Sequence, residues 1–350
     1  MKTEWISFDS QRGYQKEELQ HAAGILRDGG LVAFPTETVY GLGGNGLQPE
    51  AAKRIYEAKG RPSDNPLILH ISSREDLPAI VEEIPRQAEA LMDAFWPGPM
   101  TLVFKKSSQV PYETTGGLDT VAVRMPEHRG ARELIACAGV PVAAPSANVS
   151  GRPSPVTAEH VREDLWGRID LIIDGGAVGI GVESTIIDVT EKIPVILRPG
   201  HITKKMVEAV IGAVRMDEGL TDEDPTVRPK APGMKYRHYA PKAQMMIIEG
   251  QSEAVVQRIC ELAADYPSDR VGILASDESA EAYSHGQVLS IGSRERQTIE
   301  QGLYSALREF DHRGVEVIFS ESFSEDEGSE AVMNRLMKAA GHRIEYLPGE

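Results

Sequence analysis

The sequence contains few cysteines: only Cys137 and Cys260 occur among its 350 residues. Two cysteines so far apart form neither the closely spaced pairs of a structural zinc site nor the framework of bridges found in small secreted proteins. We therefore expect no disulfide framework and no structural zinc. Both side chains are typical of small buried apolar residues.

Long apolar segments are also missing. The sequence has no run of 18 or more apolar residues, and its first 20 residues lack the apolar core of a signal peptide. Both absences indicate a cytoplasmic protein without a membrane contact. A composition of 41% hydrophobic and 26% charged residues is that of a globular protein with room for two domains.

Positive charge is scarce, since the formal net charge is −16. A broad surface for nucleic acid or anionic lipid needs an excess of Lys and Arg, so the charge argues against one. Residues 1–211 carry 22 basic and 28 acidic residues, whereas residues 212–350 carry 15 and 25. We expect anionic ligands to bind in the first segment, where the cations are relatively concentrated.

Hydrophobic periodicity divides the chain into two parts. In residues 1–211, neighbouring strands without helices between them favour an α+β domain with a mixed sheet. In residues 243–350, strands alternate with helices, which predicts a small parallel α/β domain. Residues 212–242 are polar and contain several prolines, as in a linker. The predicted strands are 31–34, 67–71, 101–104, 120–123, 140–143, 171–173, 185–189, 195–197, 245–248, 271–274, 288–291 and 315–319, and the predicted helices are 15–28, 49–58, 85–95, 128–137, 157–164, 203–211, 252–265, 294–310 and 327–340.

Four cations lie where predicted strands meet loops. Lys59 and Arg61 come shortly before the strand at 67–71, and Arg124 and Arg198 end two other strands. Each of them alone would be interpreted as a solvated residue or as part of a surface ion pair. Together, in an otherwise acidic segment, they predict a triphosphate site, because guanidinium and ammonium groups neutralise phosphate oxygens.

Small polar groups accompany three of the predicted strands. Residues 35–43 supply two hydroxyls and glycines that permit close backbone approach, and residues 144–154 supply Ser and Asn suited to phosphate or ribose oxygens. Residues 183–185 add a further hydroxyl. Ordinary turns and an edge-strand Ser are the structural alternatives for these segments.

No motif for covalent or metal catalysis accompanies these groups. None of the nine histidines lies in the pattern of a Ser/His/Asp triad, a Cys/His pair or a metal-binding helix, so covalent catalysis is unsupported and no motif indicates a protein ligand for a metal. Residues 243–350 lack the Gly-rich motifs that bind dinucleotides or phosphates, which leaves the role of that domain open.

Eight motifs show a resemblance to the threonylcarbamoyl-AMP synthases. They are PTETVYGLG, KGRPSDNPLILHI, WPGPMTLV, LDTVAVRMP, APSANVSGRPSP, GVESTIIDV, LRPG and PGMKYRHYAP, in the order seen in that family. Residues 1–211 resemble its YrdC-like catalytic domain, and the rest resembles the linker, 212–242, and the C-terminal domain, 243–350, of its long form. The resemblance implies an α/β fold, with an α+β mixed twisted sheet first and a small parallel, Rossmann-like sheet last.

The resemblance also implies a reaction. L-threonine and bicarbonate give an N-carboxylated threonine, whose carboxylate attacks the α-phosphate of ATP and expels pyrophosphate. This displacement needs positioning and charge neutralisation more than an enzyme nucleophile. Mg²⁺ is expected with the triphosphate, held by phosphate oxygens and water. Downstream tRNA threonylcarbamoyl transferase proteins are the implied partners, and they place the threonylcarbamoyl group on adenosine 37 of tRNA.

The family's site residues are carried over to matching positions of this sequence. The catalytic residues are expected to be Lys59, close to the phosphates, and Arg61. Threonine is expected to bind to Thr38, His70, Arg124, Ala144 and Ser184, with Arg124 on its carboxylate. ATP is expected to bind to Arg61, Asn65, Thr120, Ser146, Ser154, Arg198 and His238.

The segment PGMKYRHYAP, residues 232–241, combines two tyrosines, a histidine and two cations. In the family that the chain resembles, this linker folds over the active site. We therefore interpret it as a lid, with His238 on the nucleotide, that excludes water from a hydrolysable adenylate. A linker that simply packs between domains is the alternative.

Two other functions compete with the synthase. YrdC-like domains have been linked to RNA, so a double-stranded RNA-binding module without catalysis is one alternative, although the net charge opposes it and leaves open only a weak RNA contact. The other is a carbamoyl-adenylate enzyme of the hydrogenase-maturation type. That enzyme needs zinc fingers, which two lone cysteines exclude.

Overall fold

The computed structural model describes residues 2–9, 11–217, 229–232, 239–323 and 329–348. The chain forms two compact units, and the second takes two short segments from the middle of the sequence. The first unit contains Met1–Ser150, Ser154–Gly179 and Glu183–Tyr236, and the second contains Gly151–Pro153, Ile180–Val182 and Arg237–Glu350. Our division into 1–211, 212–242 and 243–350 stays a prediction.

The first unit is built on a mixed sheet, in which the described residues form eleven strands in the order β1-β8-β2-β3-β7-β4-β6-β5-β9-β10-β11. Both parallel and antiparallel neighbours occur, as the irregular pattern of strands and helices predicts. The strands are β1 Glu4–Ser7, β2 Val32–Phe34, β3 Gly41–Asn45, β4 Ile68–His70, β5 Met100–Lys105, β6 Thr120–Arg124, β7 Val142–Ala143, β8 Leu171–Asp174, β9 Thr185–Asp188, β10 Val195–Arg198 and β11 Arg215–Met216.

Two helices of the first unit begin at threonine N-caps. The hydroxyls of Thr157 and Thr203 accept hydrogen bonds from the N–H groups of His160 and Met206. The helices are α1 Lys16–Arg27, α2 Pro49–Lys59, α3 Leu77–Ile80, α4 Arg86–Phe95, α5 Arg129–Ala138, α6 Ala158–Leu165 and α7 Lys204–Ile211.

The two faces of this sheet are packed differently, because side chains alternate between them along each strand. One face lies against a large apolar core with α2, α3, α4, α6 and α7. On the other face, α1 and α5 cover the part near β1, β8 and β2. The remainder of that second face, over β4, β6, β5, β9 and β10, is called the site face below.

The apolar part of the site face is a small cluster of buried residues. Ile68, Val103, Ala122, Ile186 and Leu197 pack together, and Ala231 closes over them. Because alternate residues share a face, the strand residues two positions away from these side chains project to the same side.

The second unit contains a parallel sheet in the order β14-β13-β15-β12-β16. Its apolar core lies between the strands and α8. This arrangement and the mixed sheet of the first unit confirm the predicted fold class. The elements are β12 Gln244–Glu249, β13 Val271–Ala275, β14 Gln287–Ser290, β15 Val317–Glu321, β16 Ile344–Tyr346, α8 Ser252–Ala263, α9 Arg296–Arg313 and α10 Glu330–Ala339.

All predicted strands and helices are found, with ends shifted by a few residues. Four strands, β1, β3, β11 and β16, and the short helix α3 were not predicted. The sequence of β3 is GLGGN, in which glycine hides the β pattern. A Cβ at Gly43 would lie 2.8 Å from Phe34 Cε1 and from Val142 Cγ1, so the ring of Phe34 needs the glycine. None of the described helices is long and apolar enough to cross a membrane.

Candidate active site

Three polar side chains lie side by side on the site face. His70 on β4 pairs in register with Arg124 on β6, and Arg124 pairs with Thr101 on β5. Residues paired across neighbouring strands point to the same face of a sheet. All three are buried. The structure thus brings together His70 and Arg124, both predicted to bind threonine, and places Thr101 beside Arg124.

Arg124 is held by the loop that follows β2. Its Nη1 donates to Thr38 Oγ1 at 2.9 Å, and its Nη2 donates to Glu37 Oε1 at 2.6 Å. Its Nε donates to the carbonyl oxygen of Gly98 at 3.2 Å. Within the described part of the chain, these contacts leave one N–H on each terminal nitrogen of the guanidinium for a ligand.

Glu37 and Arg124 form a buried ion pair, with side chains that are 11% and 5% exposed. Burial alone would raise the pKa of Glu37, but the charge of Arg124 and its hydrogen bond outweigh burial and lower this pKa below its usual value. The second carboxylate oxygen accepts the backbone N–H of His128 at 3.4 Å. Glu37 is therefore ionised at neutral pH and fixes the guanidinium.

His70 is a neutral ring at physiological pH. Burial, and after it the charge of Arg124, lowers the pKa of His70 to about 3. Its Nδ1 lies 3.1 Å from the carbonyl oxygen of Ile68, which also accepts the N–H of Ala144 at 2.9 Å. The centroids of the His70 and Phe34 rings lie 6.3 Å apart, and the two ring planes are nearly perpendicular. His70 and Ala144, both predicted to bind threonine, thus contact the same backbone group, the carbonyl oxygen of Ile68.

Ser184, which is predicted to bind threonine, immediately precedes β9 and contacts Arg198, which is predicted to bind ATP. Its Oγ lies 2.8 Å from Thr101 Oγ1 and accepts a hydrogen bond from Arg198 Nη2 at 3.2 Å. The Nε and Nη2 atoms of Arg198 also donate to the carbonyl oxygen of Ser184, at 3.1 and 2.9 Å. Its Nη1 donates to the carbonyl oxygen of Pro232. Arg198 therefore links the start of β9 to the segment that carries Ala231.

Lys59 ends α2 and is fully buried. Gly60 follows it in the left-handed region, with φ of 62°, and ends the helix. The Lys59 ammonium donates to the carbonyl oxygens of Ser146 and Asn148. The hydroxyl of Ser146 bonds Asn148 Oδ1 at 2.5 Å. Lys59 thus orders the loop that presents Ser146, which the sequence predicts to bind ATP.

Arg61 and Asn65 lie together before β4. Arg61 donates to the carbonyl oxygens of Asn65 at 3.3 Å and Pro66 at 3.1 Å. The side-chain amide of Asn65 is different: both Nδ2 and Oδ1 are buried, and neither has a hydrogen-bond partner in the described structure. A buried polar group left without a partner costs about 1–3 kcal/mol. These two atoms therefore mark a place for a polar ligand.

Ser154 is fully buried, and its hydroxyl donates to a carboxylate oxygen of Glu183. Thr120 begins β6 and pairs with Lys105, whereas Arg124 ends the same strand. Four residues of extended chain span about 13 Å, so Thr120 lies well apart from Arg124. His238 lies outside the residues that the structure describes.

Three of these contact residues were not singled out from the sequence: Glu37, Thr101 and Glu183. Cations and small polar side chains indicate an anion site, whereas two of these three are acidic residues, within the motifs PTETVYGLG and GVESTIIDV. Among the described residues, no group of three or more His, Cys, Asp and Glu side chains is arranged to hold a metal ion.

Two family models together match most of the chain. Residues 24–200 match a model described as Telomere recombination, and residues 202–341 match one described as Threonylcarbamoyl-AMP synthase, C-terminal domain. The chain is 51% identical over 329 residues to the threonylcarbamoyl-AMP synthase of Pyrococcus abyssi (strain GE5 / Orsay), which covers 93% of this chain and 95% of the relative. It is 49% identical over 350 residues to that of Bacillus subtilis (strain 168), with coverage of 98% and 99%.

Solved structures extend this similarity to the fold. The crystal structure of P. abyssi Sua5 complexed with L-threonine superposes with a TM-score of 0.93 at 48% identity, over 99% of this chain and 100% of that one. A variant of P. abyssi Sua5 with a histidine and the adjacent tyrosine changed to alanine gives the same TM-score and identity, over 99% of both chains.

The ion pair predicts a pH dependence of stability. Glu37→Gln removes the charge with little change of shape and leaves the buried Arg124 uncompensated, so we expect it to lower the free energy of unfolding by about 3 kcal/mol at pH 7. Because the pKa of Glu37 is lowered by folding, its contribution is complete above the unfolded pKa of about 4.3 and is lost as the pH falls through the folded pKa.

Urea unfolding of the wild type and Glu37→Gln between pH 8 and pH 3.5 measures this difference. It should be constant down to about pH 5 and shrink below the unfolded pKa. Glu133→Gln is the control, because Glu133 pairs with Arg129 at the surface, where such pairs contribute at most about 1 kcal/mol. A difference that is absent at pH 7, or unchanged at pH 3.5, would contradict the prediction.

Proposed function

The chain belongs to the threonylcarbamoyl-AMP synthase family, and we propose that its site face makes threonylcarbamoyl-adenylate and pyrophosphate from L-threonine, bicarbonate and ATP. The observation that carries this proposal is the buried Arg124, oriented by Glu37 and Thr38 with two N–H groups left for a ligand. Family membership favours this enzyme, a nucleotidyltransferase for tRNA modification, over the RNA-binding alternative.

Threonine binds at Arg124 in this proposal. The two N–H groups of the guanidinium donate to the oxygens of its carboxylate as a fork, which is the strong geometry for a charged pair. Glu37 and Thr38 hold the guanidinium in place beforehand, so little conformational freedom is lost on binding. A solved relative at 48% identity is a complex with L-threonine, which supports a threonine site in this fold.

Residues around Arg124 complete the threonine site. The ring of His70 is neutral, so it binds without repelling the positively charged amino group that threonine brings. The hydroxyl of Ser184 is oriented by Thr101 and Arg198. Ala144 lies beside His70 through their shared partner, the carbonyl of Ile68, and shapes the pocket there.

ATP binds next to this site, on the remaining predicted residues. The side-chain amide of Asn65, which has no hydrogen-bond partner in the described structure, bonds to the nucleotide. Arg61, in the same loop as Asn65, neutralises the phosphate oxygens. Lys59 acts by fixing the loop of Ser146, since its ammonium is already bonded to two carbonyl oxygens there. Five further residues stay predictions as ATP ligands: Thr120, Ser146, Ser154, Arg198 and His238.

The chemical step follows from these placements. The amine of threonine forms a bond to the carbon of bicarbonate and water leaves, which gives the carbamate. A carbamate oxygen then forms a bond to the α-phosphorus of ATP, and the bond from that phosphorus to the oxygen that bridges it to the β-phosphorus breaks, so pyrophosphate leaves. The site holds the two reactants in line and neutralises charge that moves to the leaving group. No enzyme nucleophile is required.

The proposal also covers the metal ion, the cellular location and the partners of the enzyme. Mg²⁺ would arrive with the triphosphate and be held by phosphate oxygens and water. Use of ATP supports a cytoplasmic location. The downstream transferase proteins, and a weak contact with tRNA, follow from the family's role alone.

Arg124→Lys tests the threonine site. Lysine keeps the charge opposite Glu37 but loses the fork, so we expect the KM for threonine to rise about 10-fold or more, because a hydrogen bond to a charged group contributes about 1.5–3 kcal/mol. The KM for ATP should change little. Pyrophosphate release, measured at varied threonine and varied ATP, separates the two constants.

The control is Arg129→Lys, at an exposed arginine that pairs with Glu133. It should leave both constants unchanged. An unchanged threonine KM in Arg124→Lys would remove Arg124 from the threonine site, and pyrophosphate release that does not depend on threonine in the wild type would refute the proposed function.

The variant Asn65→Leu tests whether the Asn65 amide binds ATP or stabilises the folded protein. Leucine is similar in size and needs no hydrogen bonds, so the free protein should keep its stability or gain up to about 1–3 kcal/mol, since the unsatisfied amide is gone. ATP affinity should fall about 10-fold or more, because the ligand loses both partners. Calorimetric titration with ATP and thermal unfolding give the two quantities.

A structural role for Asn65 predicts the reverse result. In that case the variant loses stability and keeps its ATP affinity, and the amide does not belong to the ATP site. Asn148→Leu is a useful comparison, because the Asn148 side chain is also buried but does have partners, in Ser146 and Val149, and its loss should destabilise the protein.

A further inference from the structure

Two short segments from the middle of the sequence belong to the second unit. In the first segment, residues 151–153, the carbonyl oxygen of Gly151 accepts the N–H of Ala240 at 2.9 Å. The next residue, Arg152, lies with its Nη2 3.7 Å from the carboxylate of Asp311 on α9. Two successive residues of this segment are thus held in place, Gly151 through its backbone and Arg152 through its side chain.

The third anchor is Arg308, also on α9. It is fully buried, and its Nη2 donates to the carbonyl oxygen of Pro153 at 2.6 Å. Burying a guanidinium costs several kcal/mol of desolvation, whereas an apolar side chain would fill the same space without that cost. The hydrogen bond from this buried guanidinium fixes the position of the Pro153 carbonyl.

The second segment, residues 180–182, packs against the same helix. Gly181 has φ of 97°, and a Cβ there would lie 2.3 Å from the carbonyl oxygen of Glu300 on α9. Only glycine permits both this conformation and this approach. Val182, the next residue, is fully buried. One helix of the second unit therefore fixes both segments.

The residues that directly follow these segments belong to the proposed active site. Ser154 follows the first segment and Glu183 follows the second, and the Ser154 hydroxyl donates to the Glu183 carboxylate. Glu183 in turn precedes Ser184, which binds Thr101 and Arg198. The contact between Ser154 and Glu183 thus joins two chain positions whose preceding residues are both held by α9.

We propose that α9 of the second unit positions the ATP side of the active site, with Arg308 as the positioning residue, by holding residues 151–153 and 180–182 so that Ser154 and Glu183 meet. This inference rests on the proposed function, since it deepens the role of Ser154 in binding ATP. It gives the C-terminal domain a task that requires no ligand of its own. Ser184 has further anchors in Thr101 and Arg198, so threonine binding depends on α9 less than ATP binding does.

Arg308→Met in the full-length protein tests this role. It keeps the apolar stem but loses the donor to Pro153, so the KM for ATP should rise about 10- to 100-fold, the range for a small misplacement of a binding group. The KM for threonine should change by less than about threefold. Arg308→Lys retains one charged donor and should recover part of the ATP affinity.

Phe310→Leu is the matched control. Phe310 is buried on the same helix and lies against Gly272 of the sheet, so its truncation weakens the packing of the second unit but leaves the Arg308 donor to Pro153 in place. It should leave both KM values unchanged. An equal rise of the ATP KM in Phe310→Leu and Arg308→Met would reduce Arg308 to a general structural role and overturn the proposal.

Amide hydrogen exchange provides a readout that does not depend on activity. Arg308→Met should speed exchange in peptides that cover 151–156 and 180–185, and Phe310→Leu should not. If exchange responds in this way while the wild type shows no threonine-dependent pyrophosphate release, the proposed function fails but the positioning stands. If the wild type is active and Arg308→Met alters neither exchange nor the ATP KM, the positioning fails and the function stands.

Discussion

The buried ion pair between Glu37 and Arg124 is the interaction around which the site face is arranged. It joins the loop after β2 to the end of β6, two strands that are not neighbours in the sheet. With Arg124 fixed, the register of β4 and β5 places His70 and Thr101 beside it. The surrounding apolar cluster lowers the local dielectric, which strengthens each polar contact made there.

This arrangement explains why the site needs no reactive side chain. A displacement at phosphorus depends on alignment of the reactants and on neutralising charge, both of which fixed guanidinium and amide groups supply. Lys59, Arg124 and Arg198 are all held by other protein groups, so they are already oriented when substrates bind. Asn65 is the exception, because its buried amide still lacks partners in the described structure and is left for a ligand.

The sequence predicted the elements well because their hydrophobic periods are regular, and it failed where composition masks the period. Glycine concealed β3. The missed strands β1, β11 and β16 are partly exposed strands at the edges of their sheets, so they lack the run of buried apolar residues that reveals the equally short β2, β4 and β7. The motifs located Arg124, His70 and Ser184, whereas their partners Glu37 and Thr101 depend on strand register and on a loop contact that a single sequence does not encode locally. The anchoring of residues 151–153 by Arg308 spans 155 positions, so it too emerges only from the fold.

We expect one site of this protein to join threonine, bicarbonate and ATP in a single adenylate, and mass spectrometry of the reaction products is the decisive measurement. Threonylcarbamoyl-AMP should form when all three substrates are present, and omitting any one of them should abolish the product. Formation of AMP and pyrophosphate without threonine, or of an adenylate that lacks the carbon of labelled bicarbonate, would show that the three substrates do not react together in this site.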